Sequence, residues 1–212
     1  MSLMNSNPAS STASHVRAGA LYFLVLIATV VFSAFAPGCN SPIINRDPVG
    51  EPFPWIDGQT LEGQPVRLPN AYLGSPAIYM VGYLQETQFD IDRWTIGLMQ
   101  LKCAIRAIEV PTLPGLLPTQ FSGWIDDGMR SGIPKEDWPA VVTVYGDQAK
   151  KIAALTGTQS PRNARVLLID SKGVVRWSWE QGFSAKRLIE LVDLGNQLVT
   201  RANRINQAEE TQ

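Results

Sequence analysis

From Ala18 to Ala36 the sequence reads AGALYFLVLIATVVFSAFA, an apolar run without a single charged side chain. About 20 such residues cross the hydrocarbon layer of a bilayer as a helix. A helix packed in a soluble core would show polar residues at helical spacing, and Thr29 and Ser33 are too few to make a solvated face. The run therefore predicts an N-terminal signal or anchor helix. Arg17 precedes it and residues 1–17 contain no acidic side chain, so the positive-inside bias keeps the amino end in the cytoplasm and sends the rest of the chain outward.

The run ends in Ala36-Pro37-Gly38-Cys39. Small residues ahead of a cysteine resemble a bacterial lipoprotein signal, which implies cleavage before Cys39 and lipidation of its thiol with diacylglycerol and acyl chains such as palmitate. Pro37 and Ala36 depart from the usual pattern. The run also exceeds the 7 to 15 residues of a typical cleaved signal, so an uncleaved signal anchor remains a second reading. Either one ties the chain to a membrane. Residues 39–54, rich in Pro, Asn and Gly and without period, read as a flexible tether, and residues 201–212 as a polar tail that frays.

The rest, residues 55–200, is long enough for one domain with an ordinary core. A formal charge of -1 leaves no basic field for counterion release, which argues against nucleic acid as a partner. The only histidine, His15, precedes the apolar run, so histidine catalysis and histidine metal ligation are not expected of the folded part.

Hydrophobic periodicity then gives an order of elements. Trp55 to Leu68, with Asp57-Gly58 and Glu62-Gly63 as punctuation, reads as a β-hairpin. Pro76 to Leu84 is a strand buried on both faces. Asp90 to Lys102 is a helix with Asp90 as its N-cap, and Cys103 to Val110 is a strand. A short helix is expected from Phe121 to Arg130, a strand from Pro139 to Tyr145, and a helix capped by Asp147 that ends at Gly157. Ala164 to Ile169 and Val174 to Trp179 flank the turn Asp170-Ser171-Lys172-Gly173, and Ser184 caps a final amphipathic helix.

Hairpin, βαβ, helical insertion, βα, ββ hairpin and final helix resemble the thioredoxin-like superfamily in its peroxiredoxin-type form: α/β, a central mixed sheet with flanking helices. Redox members need a thiolate where the first central strand meets its helix, because the helix N-terminus stabilises it. Tyr83 to Asp90 fills that junction without a cysteine. Asn163-Ala164-Arg165 stands where the superfamily carries a cis-proline. Arg165 resembles the arginine that peroxiredoxins place near their reactive sulfur. No cofactor and no metal site is expected. The acidic residues Asp126-Asp127 and Glu136-Asp137 lack the spacing of a calcium loop.

The stretch LLIDSKGVVRWSWEQGFSAKRLIEL is similar to the Atp10 family of mitochondrial ATP synthase assembly factors, with Asp170, Gly173, Val175, Arg176 and Trp177 matching its carboxyl-terminal motif. The resemblance implies a redox-inactive thioredoxin-like fold and an assembly role. The expected function is a membrane-anchored, non-catalytic binding or assembly module in a bacterial cell envelope, on its outer side, with an envelope protein as partner. Arg176, Trp177, Trp179 and Arg165 are the expected partner-binding residues. Trp177 and Trp179 share a strand face, and Trp and Arg are enriched at interfaces. The alternative is a divergent thiol-dependent peroxidase or reductase using Cys103, a lone cysteine that otherwise reads as a small buried apolar group.

Overall fold

The computed structural model describes residues 41–115 and 119–210; the apolar run and Cys39 lie outside the described residues. Seven strands form one mixed sheet: β1 (Ile56–Thr60), β2 (Pro65–Leu68), β3 (Ala77–Gly82), β4 (Arg106–Leu113), β5 (Val142–Tyr145), β6 (Arg165–Ile169) and β7 (Val175–Trp179), in the order β2-β1-β5-β4-β3-β6-β7. The central strands β3, β4 and β5 run parallel. β6 pairs antiparallel with β3, and β7 with β6. The β1–β2 hairpin extends the other edge, antiparallel to β5.

Among the described residues there are four α-helices: α1 (Gln88–Gln100), α2 (Thr119–Gly132), α3 (Gly146–Thr156) and α4 (Ala185–Glu210). One core joins Tyr79, Val81, Ile108, Val110, Leu167 and Ile169 to Ala149, Ile152 and Ala153 of α3. The second joins Ile78, Met80, Val166 and Leu168 to Ile91, Trp94 and Leu98 of α1 and Leu188 and Leu191 of α4. All six residues of β3 are buried, as its continuous apolar run predicts for a strand covered on both faces.

The hairpin differs from the sequence expectation in its turn. Asp57-Gly58 lies inside β1, and only Glu62-Gly63 forms the reversal, with Gly63 at φ 88°. A Cβ at position 58 would stand 2.9 Å from the Thr143 carbonyl oxygen, so the glycine lets β1 lie against β5.

The expected tether and tail are also corrected. Pro42 already belongs to the same compact unit as the sheet. Residues 43–53 are bonded along their length: Ile43 exchanges hydrogen bonds with Thr158, Gly50 and Glu51 bond across to Val175, and the Phe53 N–H donates to Gly173. Phe53 is buried in the first core, edge-on to Tyr79 with ring centroids 5.1 Å apart. Proline and asparagine suppress periodicity here without making the chain free. At the other end, α4 continues through Glu210 and buries Ala202, so residues 201–210 are helical.

Candidate functional site

The carboxyl end of β3 leads through a short 3-10 turn, Gln85–Thr87, into α1. This is the junction where the sequence lacks a cysteine, and the structure builds it around two buried polar side chains. The Thr87 hydroxyl donates to the Pro161 carbonyl at 2.8 Å, tying the turn to the segment before β6. Asp90, 7% exposed, is not an N-cap but a first-turn residue of a helix that begins at Gln88. Its carboxylate accepts the backbone N–H of Ala164 at 2.9 Å and that of Phe183 at 2.7 Å. One carboxylate thus joins three segments: the start of α1, the approach to β6, and the loop between β7 and α4. Hydrogen bonds to a charged acceptor contribute about 1.5–3 kcal/mol each, so this arrangement fixes the junction firmly.

These segments surround an open cleft of about 570 Å³ lined by Glu86, Phe89, Asp90, Arg93, Arg162, Asn163 and Gln181 to Phe183. Phe89 is 73% exposed on its rim. Arg93 and Arg162 also line it and are exposed. The cleft has no nucleophilic sulfur. It offers an aromatic anchor, two guanidinium groups, the exposed Glu86 carboxylate and amide side chains, residue types that recur at binding sites.

Behind the cleft stands a ladder of aromatic rings. Phe183 packs edge-on to Trp94, centroids 5.4 Å apart, and Trp94 packs likewise on Trp177 at 6.1 Å. The Trp179 indole N–H donates to the Gly182 carbonyl at 2.6 Å, and the Arg187 guanidinium lies 4.3 Å above the Trp179 ring. Trp177 and Trp179 share one face, as their parity predicts, and both are partly buried against the second core. Trp179 holds the Gln181–Phe183 lip directly through Gly182, and Trp177 reaches it only by way of Trp94.

Arg176 occupies a β-bulge. Leu168 pairs with Trp177 and Ile169 with Val175, which leaves Arg176 as an extra residue of β7. The insertion explains why Val175 and Trp177, two apart, pack on opposite faces of the sheet. The Arg176 Nε bonds the Asp170 carboxylate at 2.6 Å, and that carboxylate also accepts the N–H groups of Lys172 and Val174. Partial burial pushes the Asp170 carboxyl upward, but these backbone donors and Arg176 outweigh it and hold its pKa below the ordinary carboxylate value.

Arg165 is corrected from a partner-facing residue to a structural one: it is 1% exposed. Its guanidinium donates to the carbonyls of Ser160, Asn163 and Gln159 and to the Asn45 side chain, and stacks 5.5 Å over Tyr83. Burial lowers its pKa. Cys103 is also displaced from its expected place. It precedes β4 rather than opening it, and its N–H reaches back to the Leu98 carbonyl in the turn that ends α1. It lies past the carboxyl end of α1, whose opposite end lines the cleft, and the helix beyond Arg93 puts about 10 Å between them at 1.5 Å per residue. Asp126 is buried and accepts the Tyr145 hydroxyl at 2.6 Å, while Asp127 pairs with Arg130. Among the described residues no cluster of three or more His, Cys, Asp or Glu side chains could hold a metal ion.

Sequence reading missed Asp90, Arg162 and the Gln181–Phe183 lip as members of one site, because residues 74 and 93 positions from Asp90 complete it. The one signal available was a carboxylate and an aromatic at the junction where the superfamily places its thiols.

No protein-family model matches the chain, and no curated protein matches it in sequence. Solved structures do match in shape. A proposed protein disulfide isomerase from Bacteroides thetaiotaomicron superposes with a TM-score of 0.50 at 12% identity, covering 78% of this chain and 97% of its own. BsSco, a member of the Sco family of cytochrome c oxidase assembly proteins, gives 0.50 at 12% identity, with 73% and 98% covered. A thiol peroxidase from Chromobacterium violaceum gives 0.50 at 14% identity, with 74% and 92% covered. At these identities the likeness is one of fold: the chain has a thioredoxin-like α/β fold.

Proposed function

We propose that this domain is a non-catalytic binding or assembly module, held at the outer face of a bacterial envelope membrane by its N-terminal signal, through lipidated Cys39 or an uncleaved anchor, and acting on another envelope protein. The observation that carries the reading is the cleft itself. At the junction where a redox thioredoxin needs its thiolate, this chain places Glu86, Phe89 and Asp90, and spends the Asp90 carboxylate on two backbone amides. What remains exposed along the cleft includes Phe89, an aromatic anchor, with the guanidinium groups of Arg93 and Arg162, the Glu86 carboxylate and the Gln181 amide. The resemblance of Asp170, Gly173, Val175, Arg176 and Trp177 to the Atp10 motif, and a fold shared with an assembly protein of the Sco family, support an assembly role. The partner is engaged at the cleft, with Trp177 and Trp179 supporting its lip from behind and Arg176 bracing the Asp170 turn.

The test is capture of a partner by the full chain from detergent-solubilised envelope membranes, quantified by mass spectrometry. Phe89→Ala and Arg162→Ala, both at exposed positions, are expected to reduce recovery of one specific membrane protein by tenfold or more while leaving the melting temperature within a few degrees. Undiminished recovery with both variants removes the cleft from the reading.

A further inference from the structure

We infer that the cleft end of the domain is seated on the bilayer surface, with Ile43 and Ile44 in contact with the lipid headgroup layer. The inference rests on the membrane attachment proposed above and adds the orientation that attachment imposes.

The fastening of the N-terminal segment carries the argument. Ile43 donates its N–H to the Thr158 hydroxyl at 2.9 Å and accepts the Thr158 N–H at 2.8 Å. Asn45 and Gln159 exchange side-chain and backbone hydrogen bonds, the Gln159 N–H to Asn45 Oδ1 being 2.8 Å, and buried Arg165 adds a bond to the same oxygen. Gly157 lets the two segments touch, since a Cβ there would lie 2.4 Å from the Asn45 Cα. Residues 43–45 are thus fixed against residues 157–159. That segment runs on to Pro161, bonded to Thr87, and to Arg162 and Asn163 in the cleft wall. The chain enters the domain beside the cleft. Glu51 to Phe53 bond to the start of β7 at the opposite end of the sheet, beside the Asp170–Gly173 turn.

Chain length turns this fastening into an orientation. Seven Cα steps separate Ala36, the last residue of the apolar run, from Ile43; fully extended they span about 25 Å. Measured from Cys39 the four steps span about 14 Å. A domain of this size is about 40 Å across. The linker is too short for the far end to turn toward the membrane. The side chains at the point of entry fit an interface of lipid: Ile44 is 74% exposed and Ile43 is also exposed. Exposed isoleucine surface beside a membrane attachment gains about 25 cal/mol for each Å² of apolar area that leaves water. A partner that reaches the cleft then does so along the membrane surface.

The experiment places the photo-cross-linking residue p-benzoylphenylalanine at position 44, or at position 172 in the exposed turn at the far end, in the full chain expressed in envelope membranes. Carbonate washing establishes first whether the protein stays with the membrane. Illumination is expected to yield phospholipid adducts at position 44 at least tenfold above those at position 172, read by intact mass. Retention in the membrane with equal adduct levels at the two positions overturns the orientation and leaves the attachment standing. A protein adduct at position 44 in place of lipid overturns it in favour of a protein-covered patch. Release by carbonate overturns the attachment and the orientation together. Lengthening the chain by about 15 flexible residues between Ser41 and Pro42, which adds roughly 20 Å of mean reach, is expected to lower the position 44 lipid adducts severalfold; unchanged adducts overturn the claim that linker length sets the orientation.

Discussion

Asp90 and Asp170 are buried to nearly the same degree, 7% and 8% exposed, and each is surrounded by backbone N–H donors, yet they do opposite kinds of work. Asp170 collects Lys172, Val174 and Arg176, all within six residues, and closes a local turn. Asp90 collects Ala164 and Phe183, 74 and 93 positions away, and joins three segments around the cleft. A local turn forms whenever its own residues meet. The long-range fastening exists only once the sheet is complete, so the cleft depends on the whole fold while the turn does not.

If long-range fastening carries this domain, the largest loss comes from the residue that ties the N-terminal segment into the first core. Phe53→Ala is expected to cost about 3–5 kcal/mol in denaturant unfolding, the usual range for a buried phenylalanine. A cost under about 1 kcal/mol would return residues 42–54 to the status of a tether and remove the short linker on which the orientation depends.

The two aspartates are then compared directly. Asp90→Ala leaves the buried Ala164 N–H without its partner and is expected to cost about 2–4 kcal/mol and to loosen the cleft, measured as faster amide exchange at Ala164 and Phe183. Asp170→Ala is expected to cost about 1–2 kcal/mol, since its Arg176 partner is 44% exposed and solvent screens that pair. Equal costs would break the contrast between local and long-range roles.

A third carboxylate sharpens it. Glu109 sits partly buried on β4 facing the start of α1. Burial pushes its pKa up to about 7; a hydrogen bond from Gln88 pulls the other way, and Asp92 and Asp137 add to the rise. Where Asp170 has enough donors to overcome its burial, Glu109 does not. Its folded pKa lies above its unfolded one, so the native state binds the proton more tightly and stability falls as pH rises from about 4.5 to 7, then levels. Glu109→Gln is expected to flatten that slope and to stabilise the domain by on the order of 1–2 kcal/mol at pH 8, with little effect at pH 4.5. An unchanged slope in the variant would assign the pH dependence to other groups.

The same contrast governs how much of the molecule was legible. Residues whose partners are near in sequence announced themselves: the Asp170–Gly173 turn, the buried run of β3, the parity of Trp177 and Trp179, and two helices, expected over 90–102 and from Asp147 to Gly157 and found at 88–100 and 146–156. Residues whose partners are distant did not. Asp90 read as an N-cap because a carboxylate at a helix start usually is one. Arg165 read as a partner-facing residue because nothing local reveals that Asn45 and the 159–163 carbonyls will enclose it. Residues 42–53 read as a tether because proline and asparagine break periodicity whether or not a segment packs. Arg176 read as a partner-binding residue on an unbroken strand, and only the register against β6 exposes the bulge.

Cys103 marks the smallest expected effect and decides between binding and thiol chemistry. Redox members of this fold hold their thiolate at the N-terminal end of the first helix, where free N–H groups face it. Cys103 lies beyond the other end of α1, behind about 20 Å of helix, where its own N–H closes the turn onto Leu98 and its side chain packs against the second core. No path through the sequence-distant loops brings it to the cleft without unwinding α1. Cys103→Ser is therefore expected to leave peroxide consumption of the soluble domain at background, to leave partner capture unchanged, and to cost under about 1 kcal/mol in stability. Peroxide turnover that the intact domain shows and the serine variant loses would sink the binding reading and restore the thiol enzyme, and would require α1 to open at its carboxyl end during turnover.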